Sequence, residues 1–373
     1  MRIGIDARFY GVSGKGLGRY TQKLIENLEN ICDKNLDDEY FVFLRKENFN
    51  EYSPKNKNFH KIVADYRWYS FSEQINMPRI LKKYKLNLVH FTHFNVPIFY
   101  RQPFVITIHD LILLHFPTIR STTLSPICYW IKFLVYKIVI GSAIKRSKKI
   151  IAVSEFTKKD ILENYKINET KIIVTYEACD DSTEKMDTIL CDGQLKKYDI
   201  IKPYILYVGN AYPHKNLENL ILAFDNIYNK KLALVLVGKM DYFYEKIKRV
   251  VKKNKIKNII FTDFVLDDDL NIIYENAKAY IFPSLYEGFG LPPLEAMKRG
   301  IPVASSDHGC MKEILGKTVL YFNAKDRDKI KKAIEKIVTD ENLRKNLIEK
   351  GKIQAEKYNW KTMAKKTLAI YKR

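Results

Sequence analysis

The densest chemistry-bearing stretch of this chain is Pro283-Ser284-Leu285-Tyr286-Glu287-Gly288-Phe289-Gly290-Leu291-Pro292-Pro293-Leu294-Glu295. Two carboxylates, Glu287 and Glu295, bracket two glycines and two prolines. The preceding residues 277–282 read as a buried strand, and Leu294–Arg299, stopped by Gly300, reads as a helix. Pro293 suits the first helical position, where a missing N–H costs nothing. Glu287 is therefore expected on a strand-to-helix loop and Glu295 one turn into the helix. Gly288 and Gly290 leave backbone N–H groups uncovered at the positive end of that helix, a place suited to a phosphate and the hydroxyls around it. Taken alone, the same residues also fit a plain turn followed by an acid that favours the helix dipole.

A second cluster is Val208-Gly209-Asn210-Ala211-Tyr212-Pro213-His214-Lys215-Asn216, directly after an apolar strand. Asn216 is predicted to cap the helix Leu217–Phe224, which puts the Lys215 ammonium at a helix start, within reach of a diphosphate. A third is Gly11-Val12-Ser13-Gly14-Lys15-Gly16-Leu17-Gly18-Arg19-Tyr20, between the first strand and a helix. Gly14, Gly16 and Gly18 let backbone amides approach an anion there. The Walker spacing fails, and Arg19 takes the place of the third glycine of a dinucleotide fingerprint. A turn needing positive φ would use the same glycines. His109, in Thr107-Ile108-His109-Asp110-Leu111, ends a strand, where open α/β sheets hold ligands. His90, His93 and His115 lie near it in sequence without a metal-ligand spacing. Ser154 reads as a helix cap. Asp267-Asp268-Asp269 reads as a cap and first turn rather than a metal site.

These residues need a scaffold, and the periodicity supplies one. Short apolar strands alternate with amphipathic helices in two series. The first comprises 3–7, 40–44, 88–91, 104–108, 149–153 and 172–174; the second comprises 204–208, 233–237, 259–261, 279–282, 303–305 and 319–322. Such alternation implies an α/β fold of parallel sheets covered on both faces, and two series imply two Rossmann-like domains. The expected division is residues 1–182, a polar linker 183–200, residues 201–355, and a closing segment 356–373.

Length and a 46% hydrophobic fraction agree with two cored domains. The first residues, Met1-Arg2-Ile3-Gly4-Ile5-Asp6, start as a strand, so no secretory leader is expected. Five cysteines without CxxC spacing read as reduced, mostly buried thiols of a cytoplasmic chain. The net charge is +21, and residues 51–150 hold 16 Lys and Arg against 4 Asp and Glu. That balance suits either a solvated lysine surface or an anionic partner. Nucleic acid is not expected, since no recognition motif accompanies the charge. The apolar run from Pro126 to Ala143 is broken by Lys132 and Lys137 and leads into Lys145, Arg146, Lys148 and Lys149. It reads as an amphipathic helix packed on a sheet, with contact to an anionic membrane surface at its basic end.

The Glu287–Glu295 and Gly209–Asn216 strings, with Asp6-Ala7-Arg8 and its glycine-rich turn, resemble the retaining glycosyltransferases of family 4, which have the GT-B fold. The resemblance runs from Asp6 to Trp360. It implies a second domain that holds a nucleotide diphosphate sugar and a last helix that crosses back to the first domain. It also implies that Glu287 faces the donor sugar and Glu295 the ribose hydroxyls. Gly288, Phe289, Gly290 and Leu291 belong to the same donor-binding string. Lys215 meets the diphosphate, and Gly14, Gly16 and Gly18 close over it. The side chain or backbone of His109 contacts the donor near its anomeric carbon. The family usually pairs its lysine with an arginine; this chain has Asn210 and His214 in those places, and a protonated His214 would be the substitute cation. The expected activity is metal-independent, cofactor-free hexosyl transfer, with GDP-mannose as first donor, to a glycan or lipid-linked saccharide. The expected location is cytoplasmic, peripheral on the inner membrane face. The alternative is a catalytically inactive GT-B protein that binds sugar nucleotides or glycans.

Overall fold

The computed structural model describes every residue except 12–13, 34–36, 119–124, 181–187, 228 and 230; at 188–192 it describes backbone only. The chain begins β1 (Arg2–Asp6), α1 (Lys15–Ile31), β2 (Glu39–Leu44), β3 (Phe59–Val63), α2 (Phe71–Lys83), β4 (Leu88–Phe91) and β5 (Phe104–Ile108). It continues α3 (Ile112–His115), α4 (Pro126–Arg146), β6 (Lys149–Ala152), α5 (Glu155–Asn164) and β7 (Ile172–Val174). Then come α6 (Thr188–Lys197), β8 (Tyr204–Val208), α7 (Leu217–Asp225), β9 (Ala233–Val237), α8 (Tyr242–Lys253), β10 (Ile259–Asp263), α9 (Asp267–Glu275) and β11 (Ala279–Phe282). The last elements are α10 (Leu291–Lys298), β12 (Val303–Ser306), α11 (Gly309–Leu315), β13 (Leu320–Phe322), α12 (Arg327–Thr339), α13 (Glu341–Glu356) and α14 (Trp360–Tyr371).

Two compact units form. Unit 1 comprises Met1–Leu111, Ser125–Glu177 and Asn359–Arg373; unit 2 comprises Ile112–Leu124 and Ala178–Tyr358. Unit 1 holds a seven-stranded sheet of order β3-β2-β1-β4-β5-β6-β7, and unit 2 a six-stranded sheet of order β10-β9-β8-β11-β12-β13. Every pairing is parallel. Strands such as β5 and β9 are apolar at nearly every position and buried at all of them, as a sheet covered on both faces requires. The strand order reverses beside β1 in unit 1 and beside β8 in unit 2, which marks where each unit can hold a ligand at its strand ends.

The C-terminal crossover is real. Asn359 caps α14 through the Thr362 N–H, and α14 packs on α1 within unit 1. Tyr371 at its end bonds Nδ1 of the buried His90, whose Nε2 meets Thr107, and burial pushes His90 down to about 3. The expected 182–183 boundary lies outside the described residues, and within 183–200 the residues Thr188–Lys197 form α6.

Three local expectations change. Strand β3 was not foreseen; it is an edge strand, half-buried along most of its length, so its pattern is weak. Helix α10 starts at Leu291, two residues before Pro293, and takes both prolines into its first turn. Helix α4 buries only Tyr129, Val139, Ile140, Ala143 and Ile144, while six large apolar residues on its other face stay exposed. Of the four described thiols, Cys179 and Cys310 are buried, Cys32 is intermediate and Cys128 is exposed.

Candidate active site

The unit 2 site grows from the loops after β8 and β11, the strands on either side of the order reversal. After β8 the chain turns at Gly209, whose φ of +151° disfavours a side chain and where a Cβ would meet the Tyr207 hydroxyl at 2.9 Å. Tyr207 and Tyr244 donate their hydroxyls to the carbonyls of Asn210 and Gly209, which holds the turn open-ended. Pro213–Lys215 then forms one 3-10 turn.

Asn216 differs from expectation in an instructive way. It sits at the start of α7 in left-handed conformation, φ +62°, and its side chain caps nothing. Instead its amide donates to the carbonyls of Pro283 at 3.1 Å and Ala324 at 2.7 Å. The Leu285 N–H donates to the His214 carbonyl at 2.7 Å. Asn216 is thus the peg that ties the Lys215 loop to the Glu287 loop.

The two loops bring Lys215 Nζ to 2.7 Å from Glu287 Oε1, with the side chains only 15% and 9% exposed. Burial raises the Glu287 pKa, but Lys215 and, after it, His214 and Ser284 together outweigh it and hold the carboxyl below its usual range. Nζ also lies 5.8 Å from the centroid of the Phe282 ring. His214 is buried, and that burial with the adjacent Lys215 lowers its pKa to about 4. The imidazole is therefore neutral at physiological pH, and a protonated His214 does not replace the missing arginine. Asn210 uses its side-chain oxygen on the Tyr212 N–H.

Gly290, at φ +90°, precedes α10; a Cβ there would meet Met311 Cε at 2.6 Å. No side chain caps α10, and because Pro292 and Pro293 carry no N–H, Leu291 is the one donor among its first three positions. Glu295 is buried within that helix and accepts from the Tyr274 hydroxyl at 3.3 Å. Phe289 packs its ring against Tyr358 and offers the site only backbone. Tyr286, unremarked in the sequence, stacks on His115 at 4.8 Å and tilts against His308 at 5.1 Å, so α3 roofs the Glu287 loop. Asp269 receives Lys197 Nζ at 2.7 Å and the Tyr198 hydroxyl at 2.5 Å, which fastens α6 to α9 and occupies a carboxylate of the Asp267–Asp269 run.

In unit 1, His109 donates Nε2–H to the Thr92 carbonyl at 2.9 Å, and its Nδ1 lies 2.8 Å from Glu177 Oε1. Burial opposes the imidazolium, yet Glu177 and Thr92 raise its pKa. Both ring nitrogens are taken, and the His109 carbonyl accepts from the Thr157 hydroxyl at 3.4 Å. Gly14 and Gly18 are glycines for packing: a Cβ would meet Phe9 O at 1.9 Å or Gly11 O at 2.0 Å. Gly16 is exposed and a Cβ there would meet nothing within 4 Å. Arg8 is wholly buried, bidentate to Asp6 at 2.8 and 2.7 Å and 2.7 Å from Glu73. The Asp-x-Arg motif is an internal staple. Ser154 caps α5 through the Thr157 N–H, as expected.

Two family models match the chain. Residues 15–183 match Glycosyltransferase Family 4, and residues 194–354 match Glycosyl transferases group 1. The O-antigen chain mannosyltransferase RfbU of Salmonella typhimurium is 28% identical over 339 residues, 88% of each chain. The O-antigen chain mannosyltransferase B of Escherichia coli is 27% identical over 300 residues, 78% of this chain and 76% of that one. Among solved structures, Anabaena HepE in complex with UDP and glucose aligns with a TM-score of 0.76 at 13% identity, covering 100% of this chain and 99% of that one. That likeness is one of fold.

Proposed function

The chain belongs to the family 4 glycosyltransferases, and on that premise we propose that it is a retaining hexosyltransferase of cell-surface polysaccharide synthesis. It moves a hexose from a nucleotide diphosphate sugar to a hydroxyl of a glycan or lipid-linked saccharide. Unit 2 binds the donor and unit 1 the acceptor, at the inner face of the cell membrane. The observation that carries this reading is the buried Lys215–Glu287 pair at the order reversal of the unit 2 sheet, beside the uncapped start of α10.

Charge develops on the diphosphate as the glycosidic C–O bond breaks, and fixed positive partners lower that barrier. Lys215 and the N–H groups around Gly288–Leu291 are those partners. Glu287 faces the sugar and Glu295 holds the ribose hydroxyls. The acceptor oxygen attacks from the face the diphosphate leaves, its proton passes to a leaving phosphate oxygen, and configuration is kept. No metal is needed, because backbone and Lys215 take the diphosphate charge. The mannosyltransferase relatives support mannose as the hexose, and GDP-mannose is the first donor to try. HepE, crystallised with UDP and glucose, supports a nucleotide diphosphate sugar as the donor class.

The test is a panel of nucleotide sugars read by thermal shift and by release of nucleotide diphosphate with saccharide acceptors, with and without EDTA. GDP-mannose should give the largest shift and EDTA should change nothing. Donor binding without release under any acceptor identifies the inactive binder instead. Activity abolished by EDTA and restored by Mn²⁺ refutes the metal-free scheme.

A further inference from the structure

The two faces of α4 are both apolar, and only one is used. Tyr129, Val139, Ile140, Ala143 and Ile144 pack into unit 1. Opposite them, Ile127, Trp130, Ile131, Leu134, Val135 and Ile138 are 74, 48, 59, 60, 50 and 53% exposed. Their spacing, i, i+3, i+4, i+7, i+8 and i+11, gathers them on one stripe of the helix. A contiguous exposed patch of this kind marks an interaction surface.

Charge selects the partner. No Asp or Glu occurs between Asp110 and Glu155, while Lys132, Lys137, Lys145, Arg146, Lys148 and Lys149 fall within that span. Lys132, Lys137 and Lys145 are exposed on α4 itself. A second copy docked on this face would bring like charges together. An anionic lipid leaflet meets both demands, with apolar depth for the stripe and phosphate charge for the lysines. By length and composition α4 could cross a membrane. Its second half is buried in unit 1 and runs directly into β6, so spanning would strip that strand from the sheet.

We propose that α4 lies along an anionic membrane surface with this stripe sunk to the headgroup–acyl boundary. The anchor is the exposed apolar face in the first two-thirds of the helix, and the basic end strengthens it. The proposal rests on the transferase reading for its purpose, which is to share a surface with a lipid-linked acceptor; its physics stands apart.

The full chain is sedimented with vesicles of phosphatidylcholine, alone or with phosphatidylglycerol, at low and high salt. Wild type should bind the anionic vesicles and keep part of that binding at high salt. Ile131→Ser/Leu134→Ser/Ile138→Ser should lose at least tenfold in partitioning at both salts and melt as wild type does, since these side chains are exposed. In wild type, brominated acyl chains should quench emission that Trp130→Phe removes. Three outcomes overturn the proposal: no lipid quenching of Trp130, a salt-reversible binding unaffected by the triple variant, or a concentration-dependent dimer that the triple variant makes monomeric. Retention after alkaline carbonate extraction would overturn it in favour of a span. Release of nucleotide diphosphate with a lipid-free acceptor should be equal in wild type and triple variant. If no acceptor supports release, the transferase reading fails while the vesicle result stands.

Discussion

Replacing Lys215 by methionine removes the counter-charge 2.7 Å from Glu287 and leaves a carboxylate that is 9% exposed. Breaking one side of a buried ion pair costs about 3–5 kcal/mol. The carboxylate has an escape, because it can take a proton. For an ordinary glutamate pKa near 4.3, that route costs roughly 3–4 kcal/mol at pH 7 and about 1 kcal/mol at pH 5. The variant's loss is therefore capped near 3–4 kcal/mol at neutral pH and shrinks as pH falls. For a unit of this size, each kcal/mol is about 2–4 °C of melting temperature. Lys215→Met should lower the unit 2 transition by roughly 6–16 °C at pH 7 and by a few degrees at pH 5.

The sign follows from the direction of the shift. Glu287 is held below its usual pKa, so its contribution in wild type is present above the unfolded value and lost as pH falls through the folded one. In the variant the lone buried carboxyl shifts upward, so the variant gains stability relative to wild type on acidification. Calorimetry of wild type, Lys215→Met, Glu287→Gln and the double variant at both pH values measures this. The double variant leaves no orphan charge and should recover about half of the single-variant loss. A gap that stays constant between pH 7 and 5, or a double variant no better than Lys215→Met, refutes the buried pair. Turnover should fall by about 10²–10³, the scale of one lost stabiliser of a leaving group.

Three further outcomes can be measured with the same protein. Gly18→Ala, whose Cβ would stand 2.0 Å from Gly11 O, should cost about 1–3 kcal/mol, whereas Gly16→Ala has open space and should gain about 0.5–1 kcal/mol while weakening donor binding; equal thermal effects would contradict the packing. The raised pKa of His109 gives wild type stability that is present below the unfolded value and lost as pH rises through the folded one, so Glu177→Gln should flatten that alkaline decline in thermal scans; an unchanged slope would separate His109 from Glu177. Glu295→Ala should raise the donor Kd more than it lowers the transfer rate, whereas Glu287→Gln should do the reverse; normal donor binding and turnover in both would dissolve the site.

Twelve of the strands were legible because buried parallel strands are short apolar runs, and β3 was missed because an edge strand with His60 and Lys61 on it is not. Glu287, Lys215 and Gly290 were legible because turn residues and charges stand together in sequence. What they pair with was not. The Lys215–Glu287 bond joins positions 72 residues apart, and Asn216 reaches Ala324 across 108. Asn216 looked like a cap since asparagine before a helix normally is one; the left-handed backbone turns its amide inward instead. Arg8 stands beside Asp6 in sequence, but its second carboxylate, Glu73 from the start of α2, comes from 65 residues away. For α4, the sequence read as an amphipathic helix packed on a sheet, and the structure leaves six of its large apolar residues exposed.

The corrections within unit 2 have one consequence for the chemistry. Asn210 and a neutral His214 stand where the family's second cation would be, and Lys215 already shares its charge with Glu287. The Lys215, Glu287 and His214 side chains are therefore close to balanced in charge. The attraction left is that of the α10 dipole and the Leu291 N–H that follows Gly290, since Pro292 and Pro293 carry no N–H. A field from fixed dipoles in a covered site is screened by salt far less than one from surface lysines. Donor affinity should accordingly change little with ionic strength, while binding of α4 to anionic vesicles weakens; the two behaviours in one protein reflect two kinds of positive potential, one built from peptide groups and one from lysines.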